Sequence, residues 1–318
     1  MKIVILDGHA VNPGDLSWDS LSRFGEITVY DYSAPEDVIS HIADAEIILT
    51  NKSVLSEAVF AACPQIRLVC VLATGYNVVD CAAAASRGIP VCNVPNYGTA
   101  SVAQFTIGLL LEICHQIGLH NKLVHEGVWT RGKHFCHWET PQMELAGKTL
   151  GIIGFGSIGR AVAAIAAALG MRVITYSRTI HPEFAHLAEY VDLDTLLKQS
   201  DVISLHCPLF PDNAGMINAE TIHKMKDGVI LLNTARGGLL DENAVAAALT
   251  SGKIRHAAVD VVSAEPITED NPLFHAPNCI ITSHMAWAPI EARQRIIDTT
   301  AASITAFMDG NPINAVNL

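Results

Sequence analysis

Three short segments of the sequence each carry a side chain suited to acid–base or anion chemistry. Residues 233–238 contain Arg236, residues 259–266 contain Glu265, and residues 283–289 contain His284. Reduction of a 2-keto acid needs a cation for the carboxylate, a proton donor for the carbonyl oxygen and an anion that keeps the donor protonated. Arg236, His284 and Glu265 supply these groups in that order. Taken singly, each is more often an ordinary polar or surface residue, so the hypothesis rests on the three together.

A glycine-rich segment indicates a dinucleotide-binding turn. The strand-like run 149–153 leads into Gly154, Gly156 and Gly159 in the spacing GxGxxG, and an Ala-rich helical stretch follows. The first glycine permits a tight turn, the second lets the backbone approach a pyrophosphate, and the third lets helix and strand pack closely. The phosphates would lie at the helix N-terminus, where free N–H groups favour anions. Such turns also serve purely packing roles, but the order of strand, motif and helix favours dinucleotide binding.

The end of the next strand bears on the choice of dinucleotide. An Asp or Glu usually binds the adenosine ribose of NAD there, whereas this sequence has Ser177, Arg178 and Thr179. Ser177 can donate a hydrogen bond to a phosphate, and Arg178 can pair with one. The sequence therefore predicts NAD or NADP as cofactor, with NADP slightly favoured. The alternative is that Arg178 stacks on adenine or faces solvent, which leaves NAD usable.

Two series of short β-branched runs alternate with helical stretches, one within residues 2–94 and the other within residues 150–283. Runs that are apolar on both faces and separated by helices are typical of parallel sheets covered on both sides. We therefore predict an α/β fold with two doubly wound parallel-sheet domains. A final helix at about 290–308 follows the second sheet, so it is expected to return to the first domain. The expected boundaries are 1–98 with 290–318 for one domain and 99–289 for the other.

Composition narrows the classes of function. With 20 Lys and Arg against 32 Asp and Glu, the formal net charge is −12, and no basic run occurs. Nucleic-acid binding needs a basic surface for phosphates, so no nucleic-acid partner is expected. No signal peptide is visible and no uninterrupted apolar run reaches the length of a span, so we expect no membrane partner and a cytoplasmic location. The eight cysteines lack metal-ligand spacing and are expected to be reduced thiols, with no metal site.

Residues 68–318 resemble the D-isomer-specific 2-hydroxyacid dehydrogenase family, and most of the family's motifs fall between residues 147 and 287. The resemblance implies a Rossmann dinucleotide-binding domain inserted into a flavodoxin-like substrate domain. The implied catalytic residues are Arg236, Glu265 and His284. The implied substrate-binding residues are Thr74, Gly75, Arg236 and His284. The implied cofactor-binding residues are Thr106, Gly154, Phe155, Gly156, Ser157, Ile158, Gly159, Ser177, Arg178, Thr179, Cys207, Pro208, Asn213, Thr234, Ala235, Arg236, Asp260, His284 and Ala286.

The resemblance also implies a reaction. A dihydronicotinamide delivers hydride to C2 of a small 2-keto acid, His284 donates a proton to the carbonyl oxygen, and Glu265 stabilises the imidazolium. Residues 284–288 are most similar to the glycerate dehydrogenase/hydroxypyruvate reductase branch, which implies hydroxypyruvate, and glyoxylate as a second substrate, with D-glycerate as the product of the first. The D-lactate and phosphoglycerate types of the family remain alternatives. A nicotinamide-sensing scaffold without turnover is the alternative from a different class.

A cluster of aromatic residues allows three interpretations. Trp129, Phe135 and Trp138 lie in an irregular stretch between the two series of strands. They are expected to form an exposed dimer arm, the edge of a lid, or ordinary core packing. The resemblance favours a dimer contact, so a homodimer is the expected assembly.

Overall fold

The computed structural model describes all 318 residues, and the chain divides into two compact units. The smaller domain comprises Met1–Gly98 with Trp287–Leu318, and the larger domain comprises Thr99–Ala286. The returning segment begins at Trp287, whose ring packs on Tyr97 with centroids 6.2 Å apart.

Twelve strands and eleven α-helices follow one another along the chain. The strands are β1 (Lys2–Ile5), β2 (Glu26–Val29), β3 (Ile47–Thr50), β4 (Leu68–Val71), β5 (Val91–Cys92), β6 (Thr149–Ile153), β7 (Arg172–Tyr176), β8 (Glu189–Tyr190), β9 (Val202–Leu205), β10 (Val229–Asn233), β11 (Ile254–Val259) and β12 (Cys279–Ile281). The helices are α1 (Asp19–Ser22), α2 (Val38–Ile42), α3 (Glu57–Ala62), α4 (Cys81–Ala85), α5 (Thr99–His115), α6 (Ile117–His125), α7 (Ser157–Ala168), α8 (Leu193–Gln199), α9 (Ala219–Lys224), α10 (Glu242–Ser251) and α11 (Ile290–Met308).

The smaller domain is built on a five-stranded parallel sheet in the order β2-β1-β3-β4-β5. This order is that of flavodoxin-like folds. Strands β3 and β4 are buried along their whole length, which explains why their sequences are apolar at every position rather than at alternate ones. The predicted flavodoxin-like fold of this domain is confirmed.

Helix α11 belongs to the smaller domain, as its position after the second sheet predicts. Ile296, Ile297 and Ile304 are fully buried in one core cluster with β1, β3 and β4. Arg293 is only 8% exposed, and its guanidinium donates to both carboxylate oxygens of Asp15 at 2.6 Å. This bidentate pair helps to fix the helix in register, because the buried Arg293 guanidinium would lose its anionic partner if the helix shifted.

The larger domain is built on a seven-stranded parallel sheet in the order β12-β11-β10-β9-β6-β7-β8. The chain runs from β6 through β7 to β8 on one side and then returns to β9 on the other side of β6. The carboxyl ends of β6 and β9 therefore form the topological switch point at which ligands bind in doubly wound folds. The predicted Rossmann fold is confirmed, but β8 was not predicted. This edge strand consists of Glu189 and Tyr190, which form no apolar run, unlike the equally short but fully buried β5.

No single helix is both long and apolar enough to cross a membrane. Helices α5 and α6 meet that test of length and composition only as a pair, and they are bent by 53° at the break between them. All eight cysteines are free thiols, and four of them are buried.

Candidate active site

The three candidate catalytic residues follow three neighbouring strands of the larger domain. Arg236 follows β10, Glu265 follows β11, and His284 follows β12, and these strands are adjacent in the sheet. Neighbouring parallel strands end at the same edge of a sheet, so residues far apart in sequence converge there.

The imidazole of His284 is oriented by Glu265. Nδ1 of His284 lies 2.7 Å from Oε2 of Glu265. Glu265 is held in turn by the backbone N–H of Val262, which donates to its other carboxylate oxygen at 3.3 Å. A carboxylate accepts only, so Nδ1 carries a proton and Nε2 is the nitrogen left to exchange one with a ligand. The His284 side chain is 28% exposed, which leaves it reachable from solvent.

Asp260 fixes the backbone that carries His284. Its side chain is buried, and its carboxylate accepts from the hydroxyl of Thr282 at 2.6 Å and from the N–H groups of Met285 and Ala286 at 2.9 Å. The backbone carbonyl of Asp260 also accepts from the N–H of His284 at 2.7 Å. His284 adopts φ +54°, a left-handed conformation that is unfavourable for a residue with a Cβ and persists only where the surroundings enforce it. The structure therefore gives Asp260 a positioning role that the sequence did not suggest.

Arg236 offers an uncompensated positive charge. It is exposed, forms no ion pair, and donates only to the carbonyl of its neighbour Ala235, at 2.7 Å. The fully buried Asn233 ties this turn together, since its amide donates to the Arg236 carbonyl at 2.9 Å and accepts from the Ala235 N–H at 3.0 Å. A free guanidinium on a fixed turn can bind a carboxylate in bidentate geometry.

A glycine brings the Arg236 turn against the segment after β11. A Cβ built on Gly237 would lie 1.9 Å from the backbone carbon of Val262, so only glycine permits this approach. Asn233 and Gly237 both belong to the 233–238 segment that carries Arg236, but the sequence pattern alone indicates no role for either residue.

The glycine-rich turn after β6 fits a dinucleotide. Gly154 has φ +96°, and a Cβ there would lie 2.6 Å from the backbone of His206 and Cys207. A Cβ on Gly159 would lie 2.3 Å from the carbonyl oxygen of Gly154, whereas one on Gly156 would meet nothing within 4 Å. Two glycines are thus required by packing, and Gly156 alone faces open space at the N-terminus of α7. That space is where the N–H groups of the helix start favour an anionic phosphate.

Several predicted cofactor residues have buried side chains. The side chain of Phe155 is buried in the core, so only its backbone is available to a ligand. Thr106 is fully buried and its hydroxyl lies 2.8 Å from that of Thr234. Thr234 lies nearer the surface, at 9% exposure. Thr106 thus positions Thr234, and Ala286 contributes through the N–H that it donates to Asp260.

Six further predicted cofactor residues lie on the loops after β7 and β9: Ser177, Arg178, Thr179, Cys207, Pro208 and Asn213. Ser157 and Ile158 begin α7, and Ala235 follows β10. Arg178 is exposed, forms an ion pair with Asp212 at 3.3 Å, and stacks over the ring of Phe210. Asn213 accepts from the N–H of Phe210 at 2.7 Å and donates to the carbonyl of Pro208 at 2.8 Å, which closes the loop on itself. The predicted free phosphate ligand Arg178 therefore already has an anionic partner.

In the smaller domain, the predicted substrate loop follows β4. The hydroxyl of Thr74 donates to the carbonyl of Val94 at 2.8 Å, and Asn93 donates to the carbonyl of Thr74 at 2.7 Å. The loop is thus held in place while the N–H groups of Gly75 and Asn77 have no acceptor within the protein. Free backbone donors on a fixed loop are suited to a carboxylate.

The aromatic stretch between the domains' strand series is exposed. Helix α6 has no buried residue, and beyond it Trp129, Phe135 and Trp138 are 47%, 91% and 63% exposed. Core packing, one of the three interpretations of these aromatics, is therefore excluded within a single chain. The structure contains no group of three or more His, Cys, Asp or Glu side chains that could hold a metal ion.

Comparison with known proteins adds to this geometry. The family model of the "D-isomer specific 2-hydroxyacid dehydrogenase, NAD binding domain" matches residues 107–286. The chain is 54% identical to the hydroxypyruvate reductase of Blautia hydrogenotrophica over 321 residues, covering 100% of both chains. It is 42% identical to the glycerate dehydrogenase of Methylorubrum extorquens, covering 99% of this chain and 98% of the relative. The solved apo structure of D-lactate dehydrogenase from Escherichia coli is similar with a TM-score of 0.86 at 29% identity, covering 99% of this chain and 100% of that one.

Proposed function

Because this chain belongs to the D-isomer-specific 2-hydroxyacid dehydrogenase family, we propose that it reduces hydroxypyruvate to D-glycerate with a nicotinamide cofactor. Family membership makes it an NAD(P)-dependent oxidoreductase acting on CH–OH groups, as its motifs predict. The observation that carries the proposal is the 2.7 Å contact between His284 and Glu265. These residues follow β12 and β11, and Arg236 follows the neighbouring strand β10. The names of the two relatives support hydroxypyruvate as the substrate and glycerate as its product. Glyoxylate is proposed as a second substrate.

The chemistry of the proposed reaction divides among three side chains. A bound dihydronicotinamide supplies the hydride that reaches C2 of the keto acid. His284 donates the Nε2 proton to the carbonyl oxygen, so that the ketone becomes a hydroxyl group. Glu265 stabilises the imidazolium before this transfer and holds Nδ1 protonated throughout. Arg236 binds the substrate carboxylate and, because it is anchored on a fixed turn, holds C2 in place for attack.

The smaller domain contributes the other substrate residues of the proposal. The free N–H groups of the loop that contains Thr74 and Gly75 support binding of the substrate carboxylate there. The larger domain, with its glycine-rich turn, is proposed to hold the cofactor.

Of the two nicotinamide cofactors, we propose a slight preference for NADP over NAD. Its support is that Ser177 and Arg178 stand where an acidic residue would repel a 2′-phosphate. The ion pair between Arg178 and Asp212 acts against this preference, since the carboxylate competes with a phosphate for the same guanidinium.

We also propose a homodimer in the cytoplasm. The exposed side chains of Ile117, Trp129 and Phe135 support an apolar contact with a second copy. Sedimentation equilibrium tests this against the monomer mass of 34.1 kDa. The eight free cysteines support a reducing compartment.

The substrate proposal is tested with a panel of keto acids. Initial rates of NADH and NADPH oxidation are measured with hydroxypyruvate, glyoxylate, pyruvate and 3-phosphohydroxypyruvate. The highest kcat/KM is expected with hydroxypyruvate. A higher value with pyruvate or the phosphorylated acid would assign the chain to the D-lactate or phosphoglycerate type. Absence of turnover with every acid, despite cofactor binding, would favour the non-catalytic scaffold.

A further inference from the structure

Three residues form a clasp beside the proposed dinucleotide site: Arg178, Phe210 and Asp212. Arg178 follows β7 and the other two lie in the loop after β9, and these two strands lie on either side of β6 in the sheet. The glycine-rich turn 154–159 follows β6. The clasp therefore spans the carboxyl end of the strand at the switch point of the fold, where the adenosine half of a dinucleotide is accommodated in folds of this kind.

The contacts within the clasp hold the guanidinium of Arg178 from two directions. Nη1 donates to Oδ2 of Asp212 at 3.3 Å, and Cζ lies 4.5 Å from the centroid of the Phe210 ring. The loop that carries Phe210 and Asp212 is itself fixed by the two hydrogen bonds of Asn213. Two of the three residues of the clasp therefore lie on a loop whose conformation is fixed by hydrogen bonds.

We propose that Asp212 controls discrimination between NADP and NAD by occupying the guanidinium of Arg178. This inference rests on the proposed function and specifies its cofactor. A 2′-phosphate must displace the Asp212 carboxylate from Arg178 and then remain close to that negative charge. A ribose with a free 2′-hydroxyl has neither cost, because it brings no charge into the clasp. Asp212 is therefore a specificity-determining residue, and Phe210 keeps Arg178 in place when Asp212 is displaced.

The size of the effect follows from the exposure of the pair. The side chains of Arg178 and Asp212 are 59% and 68% exposed, so solvent screens their attraction. An exposed ion pair shifts an equilibrium by about two- to fivefold, and removing the like charge beside the phosphate adds to it. Neutralising Asp212 is therefore expected to tighten the binding of NADPH by about tenfold and to change that of NADH by less than about twofold.

The experiment measures dissociation constants of NADPH and NADH by fluorescence titration in the absence of substrate. The variant is Asp212→Asn. The matched control is Asp194→Asn, which removes the same charge from another exposed ion pair of the larger domain, with Lys224 at 3.1 Å. The expected result is a lower Kd for NADPH in Asp212→Asn alone. An unchanged ratio of the two constants, or an equal change in Asp194→Asn, overturns the proposal.

A double variant tests whether the effect passes through Arg178. In the Arg178→Ala background, Asp212→Asn is expected to raise NADPH affinity by no more than about twofold, because only the direct repulsion between Asp212 and the phosphate is then removed. If the full tenfold gain persists without the guanidinium, the effect is one of general charge and the proposal is wrong. Failure of the proposed function looks different. In that case the wild-type protein binds neither NADH nor NADPH, whereas failure of the clasp alone leaves both bound with a ratio that Asp212→Asn does not alter.

Discussion

The Nδ1 atom of His284 lies 2.7 Å from the carboxylate of Glu265, although 19 residues separate them. The contact exists because β11 and β12 are parallel neighbours and the two residues follow their carboxyl ends. It fixes one ring nitrogen as a donor and leaves the other to exchange protons. A histidine that is oriented by a carboxylate and remains accessible is suited to general acid–base catalysis.

The role of Arg236 is tested by substitution. Because its guanidinium has no anionic partner in the protein, Arg236→Ala should raise KM for hydroxypyruvate by about 100-fold, as expected when two charge-assisted hydrogen bonds are lost. Arg236→Lys keeps the charge without the planar fork and should give an intermediate KM. The control is Arg172→Ala, which removes a surface arginine that pairs with Glu189. An unchanged KM in Arg236→Ala would remove this residue from the substrate site.

Asp260→Asn should loosen the segment that carries His284. An amide has one acceptor oxygen and two N–H donors, so its NH2 group would replace one carboxylate oxygen and face the N–H of either Met285 or Ala286. We expect a loss of about 3 kcal/mol in the free energy of unfolding, measured with urea, and a lower kcat.

Thr282→Val provides the matched comparison for Asp260, because it removes only the hydroxyl that donates to the same carboxylate. Thr282→Val should lower the free energy of unfolding by about 1 kcal/mol and leave most of kcat. Equal stability of Asp260→Asn and the wild type would contradict the positioning role.

Substitution of two glycines in the same turn should have different effects, one on stability and the other on cofactor binding. Gly154→Ala forces a Cβ to within 2.6 Å of backbone atoms at φ +96° and should lower Tm markedly. Gly156→Ala meets no atom within 4 Å and should leave Tm almost unchanged, yet it fills the space proposed for the pyrophosphate. The Kd for NADH should therefore rise by about tenfold or more in this variant. A Gly156→Ala protein that binds NADH normally would contradict the assignment of the turn.

His206, a half-buried residue at the end of β9, should make stability depend on pH. Burial lowers the pKa of this imidazole from 6.5 to about 3. Between these values the unfolded chain binds a proton and the folded chain does not, so stability falls as pH decreases through this window. The slope is at most about 1.4 kcal/mol per pH unit, which gives about 2 kcal/mol between pH 6.5 and 5.

Urea unfolding at several pH values tests this dependence. His206→Gln should reduce the slope of the free energy of unfolding against pH. His223→Gln, at an exposed position, should leave this slope unchanged. If the free energy of unfolding changes with pH in the same way in the wild type and in His206→Gln, His206 does not account for the pH dependence of stability.

Most of the fold could be predicted because its signals are local. Strands buried on both faces read as continuous apolar runs, and the turn at Gly154 has a fixed glycine spacing. The same holds for the catalytic residues, since Arg236, Glu265 and His284 each lie in a short segment directly after a strand. The edge strand β8 was not predicted because Glu189 and Tyr190 form no apolar run at the rim of the sheet.

The partners of the predicted residues could not be derived in the same way. The pair of Arg178 with Asp212 joins loops 34 residues apart, and only the order of β7, β6 and β9 in the sheet brings them together. Likewise, the burial of Thr106 and the hydrogen bonds of Asp260 depend on packing between elements. Sequence patterns specify which side chains are present at a strand end, whereas tertiary structure decides which of them face each other.

In the proposed reaction, His284 is the acid–base residue that reduces hydroxypyruvate together with the cofactor. The most direct test is the steady-state rate of NADH or NADPH oxidation with hydroxypyruvate, compared between the wild type and His284→Gln, with cofactor binding measured in parallel. We predict measurable turnover by the wild type and a loss of kcat of about 1,000-fold in His284→Gln, with the Kd of the cofactor nearly unchanged. Near-normal turnover by His284→Gln, or no turnover by the wild type, would contradict the account.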